Sequence, residues 1–301
     1  MKHLKKSYFI ILIGIIVLLY NNCQKHISPK ESIITPINTI AFSSSTETPT
    51  GINYTSTPTT TITPIDVSMQ ITKTCFSVDT CSAGGSAAVF VAEDANGYIW
   101  VTERTNCAYL IKYDANGNTL FSTTWWYNTD GMAADKTNNW IWFTCPYGNE
   151  LGQSFVAFES NDNIGNISKA GFSFSKEIYV HYYGLAYDGQ NLWTLKFVED
   201  GINNKWYCCE YSTTGTLLKE FEMPVKFKSS PGNKITYGDG HLWVALVSST
   251  PNFCFYLYKI SITGEIKAIY EFTNFGFSGA QWKENNTFIA ACGDEVCTFN
   301  F

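Results

Sequence analysis

The chain has 301 residues, of which 16% are aromatic and only 15% charged, and its formal net charge is −6. Frequent Trp, Tyr, Phe, Thr and Val with few charges favour strands over helices. Arg104 is the sole arginine, so the chain lacks the basic stripe that neutralises phosphates, and nucleic acid is excluded as an expected partner.

Residues 1–22 read as an export signal. Cationic Met1 to Lys6 precedes YFIILIGIIVLLY, an unbroken run of 13 residues from Tyr8 to Tyr20. A spanning helix needs about 20 apolar residues, so the run has signal-peptide length. LLYNNCQK follows, and its Cys23 stands where bacterial lipoproteins carry the cysteine that is cleaved and lipidated. The segment resembles a relaxed lipobox, with Tyr20 and Asn22 in the places where the usual pattern has Leu and a small residue. The expectation is lipidation at Cys23, a membrane partner held through that lipid, and a domain in the cell envelope, outside the cytoplasm.

Residues 23–65 read as a tether behind the lipid-attachment cysteine. Sixteen of the 25 residues from Ala41 to Ile65 are Ser, Thr or Pro. Such a tract cannot bury enough apolar surface to offset its ordering entropy, and the expectation is an extended, solvated spacer.

Residues 66–301 carry an internal repeat. Five segments align: FVAEDANGYIWVT from Phe90, GMAADKTNNWIWFT from Gly131, GLAYDGQNLWTL from Gly184, KITYGDGHLWVAL from Lys234 and GAQWKENNTFIAA from Gly279. Each reads as a strand, a polar Asp/Asn/Gly turn, and a second strand with a buried aromatic, the pattern of a tight hairpin. The aromatics are Trp100, Trp142, Trp193, Trp243 and Phe288, spaced by 42, 51, 50 and 45 residues. That period suits a four-stranded propeller blade.

A third strand follows every hairpin, and a fourth follows in all but the last, where the chain reaches Phe301. The missing strand is expected from the start of the domain, in DVSMQITKT, which alternates Val67, Met69 and Ile71 on one face. Closure removes the unpaired edge that an open ring would leave. The fold class expected is all-β, a five-bladed β-propeller of four-stranded blades closed by an N-terminal strand. Small residues at matched positions, such as Gly131, Gly184, Gly279, Ala92, Ala133 and Ala186, read as packing where the blades converge. The hairpin motif is similar to that of the NHL and YVTN-like propellers, with their repeated "GLAxDxxGxLWV" hairpins followed by "xIxKxDxxG" strands. The resemblance implies the propeller fold and no particular activity.

Ten cysteines show no CxxC pair and no Cys/His cluster at ligand spacing, so no metal site is expected. In an exported chain disulfides are the better explanation. Cys292 and Cys297 fall on neighbouring strands of the last hairpin, and Cys75 and Cys81 enclose a short loop; both pairs are expected to staple the seam, against the alternative of buried free thiols.

No GxSxG elbow, HExxH, Walker loop, GxGxxG or EF-hand pattern is present, and no cofactor is expected. The turns at Asp114 to Asn118 and Asn161 to Asn166 offer oxygen ligands for calcium, yet the same chemistry serves left-handed turn backbones. A propeller places its ligand site among the loops that join fourth to first strands and second to third strands. Those loops hold Glu103, Arg104, Tyr127, Asp130, His181, Tyr182, Tyr183, Trp206 and Lys234, a set that suits a sugar ring or a peptide. The alternative for each aromatic is capping of the blade packing. Two readings of function follow: a surface module that binds a protein or a glycan, or an extracytoplasmic lyase or hydrolase with its site at the channel mouth.

Overall fold

Short apolar runs rich in aromatic and β-branched residues, separated by Asp, Asn and Gly turns, make every described element a strand. The structure, a computed structural model, describes residues 62–68, 70–78, 88–103, 109–124, 129–145, 154–161, 164, 168–173, 180–199, 205–223, 235–247, 254–273 and 276–301. All belong to the compact unit Tyr54–Phe301.

Two short strands come first, β1 (Ile65–Asp66) and β2 (Thr72–Ser77). Blade 1 is β3 (Ala88–Glu93), β4 (Ile99–Glu103), β5 (Tyr109–Tyr113) and β6 (Thr119–Thr124). Blade 2 is β7 (Gly131–Asp135), β8 (Trp140–Thr144), β9 (Phe155–Glu159) and β10 (Ser168–Phe172). Blade 3 is β11 (Val180–Tyr187), β12 (Asn191–Val198), β13 (Lys205–Ser212) and β14 (Leu217–Glu222). Blade 4 is β15 (Ile235–Gly238), β16 (His241–Val247), β17 (Cys254–Ser261) and β18 (Ile266–Thr273). Blade 5 has β19 (Gly279–Glu284), β20 (Thr287–Cys292) and β21 (Glu295–Asn300), and β2 is its fourth strand. The fold is a five-bladed β-propeller closed by an N-terminal strand.

The closing strand sits further along the chain than the alternation of Val67, Met69 and Ile71 suggests. Thr72–Ser77 pairs antiparallel with β21, from Thr72 opposite Asn300 to Ser77 opposite Glu295. Upstream, β1 adds a parallel fifth strand to blade 4, with Ile65 opposite Tyr270. The chain then crosses to blade 5, burying Val67 and packing Ile71 among Trp243, Phe272, Phe288 and Phe299 between those blades. Apolar residues thus mark the crossing, while the closing strand is an edge and carries polar ones; Met69 lies outside the described residues.

The five repeat aromatics occupy the blade interfaces, with Trp100, Trp142, Trp193, Trp243 and Phe288 all essentially inaccessible. Burying one tryptophan contributes on the order of 5 kcal/mol at about 25 cal/mol per Å². In three blades the indole N–H also has an acceptor in the preceding turn. Trp100 donates to Asp94 at 3.0 Å, Trp193 to Asp188 at 2.8 Å and Trp243 to the Gly238 carbonyl at 3.0 Å. In blade 2 the turn is a residue longer, Asp135 is turned to Asn138, and the Trp142 N–H has no partner.

The innermost strands β3, β7, β11, β15 and β19 surround the axis, each beside the next. Close approach there explains the matched small residues: the backbones of Gly131 and Gly184 meet, and Gly279 lies against the Val89 carbonyl. Tight turns between first and second strands and between third and fourth strands gather at one end. In the blade 5 turn Asn285 and Asn286 both adopt positive φ, as a two-residue hairpin requires. The opposite strand termini, such as Val180, Val198 and Lys205 of blade 3, lie at the other end.

Candidate functional site

Strand alternation sorts the predicted residues by face. Along β11, His181 and Tyr183 point to one side of blade 3 and Tyr182 to the other. On the first side, four rings form a closed circuit at the loop-bearing end. His181 lies 6.2 Å from Tyr183, Tyr183 5.5 Å from Trp206, Trp206 4.6 Å from Phe197, and Phe197 6.4 Å from His181. Trp206 is buried, while His181, Tyr183 and Phe197 keep part of their surface in solvent. Tyr183, Phe197 and Trp206 rest on the apolar cluster of Ile235, Leu242 and Val244 that joins blades 3 and 4.

Phe197 was absent from the sequence-derived set. It sits on β12 directly opposite both His181 and Trp206, a neighbourhood that appears only once the register is known.

On the second side, Tyr182 packs edge-on against Phe155 of blade 2 and takes a 3.4 Å hydrogen bond from Tyr211. Beside it the Lys196 ammonium lies 2.6 Å from the Glu220 carboxylate, which also accepts from the Cys209 thiol at 3.3 Å. Burial pushes the Lys196 pKa down, but Glu220 outweighs it and the net shift is upward. Burial raises the Cys209 thiol and the Tyr211 hydroxyl, so both stay protonated. This polar cluster holds blade 3 and is turned away from the ring circuit.

Asp130 precedes β7, where its N–H donates to the Thr144 carbonyl and its carbonyl accepts from Gly184. Its charge adds to the effect of burial on Cys145, whose thiol is pushed up to about 12. Glu103 ends β4. Arg104, Tyr127 and Lys234 lie outside the described residues, as do Cys23 and Cys81. The structure therefore brings together His181, Tyr183 and Trp206 and separates them from Tyr182.

The cysteine pairing differs from expectation. Cys297 is joined to Cys75, not to Cys292, and Cys75 is correspondingly not available to Cys81. The reason is register: Cys75 stands directly opposite Cys297, whereas the residue opposite Cys292 is Glu295. Cys292 is a free thiol, and burial pushes it up to about 12. The Glu295 carboxylate lies within 4.8 Å of both disulfide sulfurs, but these carry no thiolate for a metal.

At the opposite end of the axis Glu93 ties three blades. Its carboxylate accepts from Lys136 of blade 2 at 2.9 Å and Lys283 of blade 5 at 2.6 Å, and its N–H donates to the Gln281 side chain.

No protein-family model and no curated protein matches the chain. Solved structures similar to it share 10–16% identity. A streptogramin B lyase is 13% identical at a TM-score of 0.41, over 76% of this chain and 97% of its own. A gluconolactonase from Xanthomonas campestris is 14% identical at 0.42, over 70% of each chain. BamB from Moraxella catarrhalis is 12% identical at 0.38, over 77% of this chain and 98% of its own.

Proposed function

We propose that this chain is an exported, lipid-anchored propeller that binds a protein or a glycan at the loop-bearing end of blade 3. The observation that carries the reading is the circuit of His181, Tyr183, Trp206 and Phe197, with three rings part-exposed over an apolar base. Aromatics fixed in that way supply stacking and apolar area to a sugar ring or a peptide at little entropic cost. The export half of the reading rests on the 13-residue apolar run before Cys23 and on the Ser/Thr/Pro tether. The Cys75–Cys297 disulfide supports it, since such bonds persist in oxidising compartments. Within this reading the blades are of NHL/YVTN-like type, on the strength of the repeated hairpin motif.

The test is binding of the full-length chain to glycan and surface-protein arrays. His181→Ala is expected to lose the wild-type signal with little change in melting temperature, and Phe197→Leu, which keeps apolar bulk on the cluster but removes the ring, is expected to lose it too. Tyr182→Ala, on the other face of the blade, is expected to melt lower and keep the signal. A wild-type signal retained by both ring variants contradicts the site. Metabolic labelling with a palmitate analogue, lost in Cys23→Ala, tests the anchor separately.

A further inference from the structure

The closing strand β2 is one of the least buried strands of the ring, comparable with β6 of blade 1. Of its six residues only Cys75 and Phe76 are half-buried, and the other four are exposed. One flank pairs with β21 and the other is the edge of the sheet. Beyond that ladder, β2 is held by the Phe76 ring against Tyr113 and Gly117, by Val78 just past its end, by Val67 and Ile71 packed just before it, and by the disulfide from Cys75 to Cys297. Its partner β21 buries Val296, Cys297 and Phe299, and Phe299 packs in the cluster between blades 4 and 5.

We infer that the Cys75–Cys297 disulfide is a redox lock on a removable strand: once it is reduced, β2 leaves β21, and the vacated edge takes β2 of a second copy of this chain. An unpaired edge is a template for another strand, and exchange of an identical element is a low-cost route to dimers. The second copy's β2 is the occupant because it brings the same six residues in the same register and sets its own Cys75 opposite Cys297. Among the described strands no other places a cysteine opposite Cys297 in that ladder.

The chemistry balances with a dithiol as reductant. Its thiolate attacks one disulfide sulfur to give a mixed disulfide, and its second thiol displaces the remaining protein thiol. Two electrons and two protons pass to Cys75 and Cys297, and the dithiol ends as its own disulfide. The oxidised dithiol reverses the step and seals whichever β2 is docked. Cys292, raised by burial, stays a thiol and is a poor competitor.

The experiment mixes unlabelled and heavy-isotope-labelled full-length chain, reduces with dithiothreitol without denaturant, re-oxidises with its oxidised form, and digests without reduction. Hybrid Cys75–Cys297 peptides with one light and one heavy half are expected, in a share that grows with protein concentration and is absent from a never-reduced mixture. Only light–light and heavy–heavy peptides, with thiol labelling showing that the disulfide had opened, overturn the inference. A disulfide that resists the dithiol until denaturant is added overturns it equally.

Discussion

Gly131 and Gly184 meet backbone to backbone at the axis, so that a Cβ on Gly131 would lie 2.5 Å from the carbonyl carbon of Gly184. The Gly184 N–H donates to the Asp130 carbonyl at 2.6 Å, which sews blades 2 and 3 together at their innermost strands. Neither backbone can retreat without breaking that bond. Gly131→Ala is expected to cost about 3 kcal/mol in urea denaturation, as an overpacked site does. Gly189→Ala, where a Cβ meets nothing but φ is +99°, is expected to cost only about 1 kcal/mol through backbone strain.

The blade 1 turn depends on one buried carboxylate. Asp94 is 1% exposed and accepts from the N–H groups of Asn96 and Tyr98, the Trp100 indole and the Ser160 hydroxyl. Asp94→Ala leaves the buried Ser160 hydroxyl without its acceptor and the Trp100 N–H with only Ser160 Oγ at 2.8 Å, and is expected to cost about 2 kcal/mol. Asp114 makes the same turn bonds to Asn116 and Asn118 at the surface. Asp114→Ala is expected to lose a small fraction of that, because water replaces the lost acceptor. Equilibrium denaturation of both variants at one pH checks the contrast.

Glu93 gives the ring an acid-sensitive tie. Burial raises its pKa, but the hydrogen bonds and charges of Lys136 and Lys283 together outweigh it and the net shift is downward. A carboxylate lowered on folding stabilises above its unfolded value of about 4.3, and the contribution is lost as pH falls through the folded value. Glu93→Gln is therefore expected to be less stable than wild type near neutrality, with the gap closing below about pH 4. Thermal melts across that window give the answer, and a gap that persists at low pH contradicts the ion-pair role.

In the Lys196–Glu220 pair removing one partner is worse than removing both. Glu220→Ala leaves a half-buried ammonium and the Cys209 thiol without their acceptor and is expected to cost about 3 kcal/mol. The double change Lys196→Met with Glu220→Leu is expected to recover most of that stability. A double variant less stable than Glu220→Ala refutes the account.

Blade count and core were legible in the sequence because the repeat writes them five times over, whereas the parallel β1 added to blade 4 lies outside the repeat and was not. The spacing of Trp100, Trp142, Trp193, Trp243 and Phe288 set the blade period, and all five are core residues. The exact closing strand was less legible, since Thr72–Ser77 is an exposed edge with no apolar alternation to mark it. Pairing of cysteines needs register, which composition does not carry: Cys292 and Cys297 are neighbours in sequence but diagonal in the sheet. The ring circuit was half legible. His181, Tyr183 and Trp206 stand out as bulky residues near loops, whereas Phe197 reads as an ordinary strand residue, and Tyr182 differs from its neighbours only by the face it takes.

The ring as a whole stands or falls on whether the two ends of the domain meet. Cys75 and Cys297 are 222 residues apart in sequence and face each other across β2 and β21, and a bond closing so long a loop is worth about 5 kcal/mol on the chain-entropy model. Peptide mapping of the full-length chain without reduction tests this most directly. The account predicts a linked peptide pair containing Cys75 and Cys297, with Cys292 recovered as a free thiol; Cys297 linked to Cys292, or Cys75 linked to Cys81, would contradict closure through β2 and the register on which the ring depends.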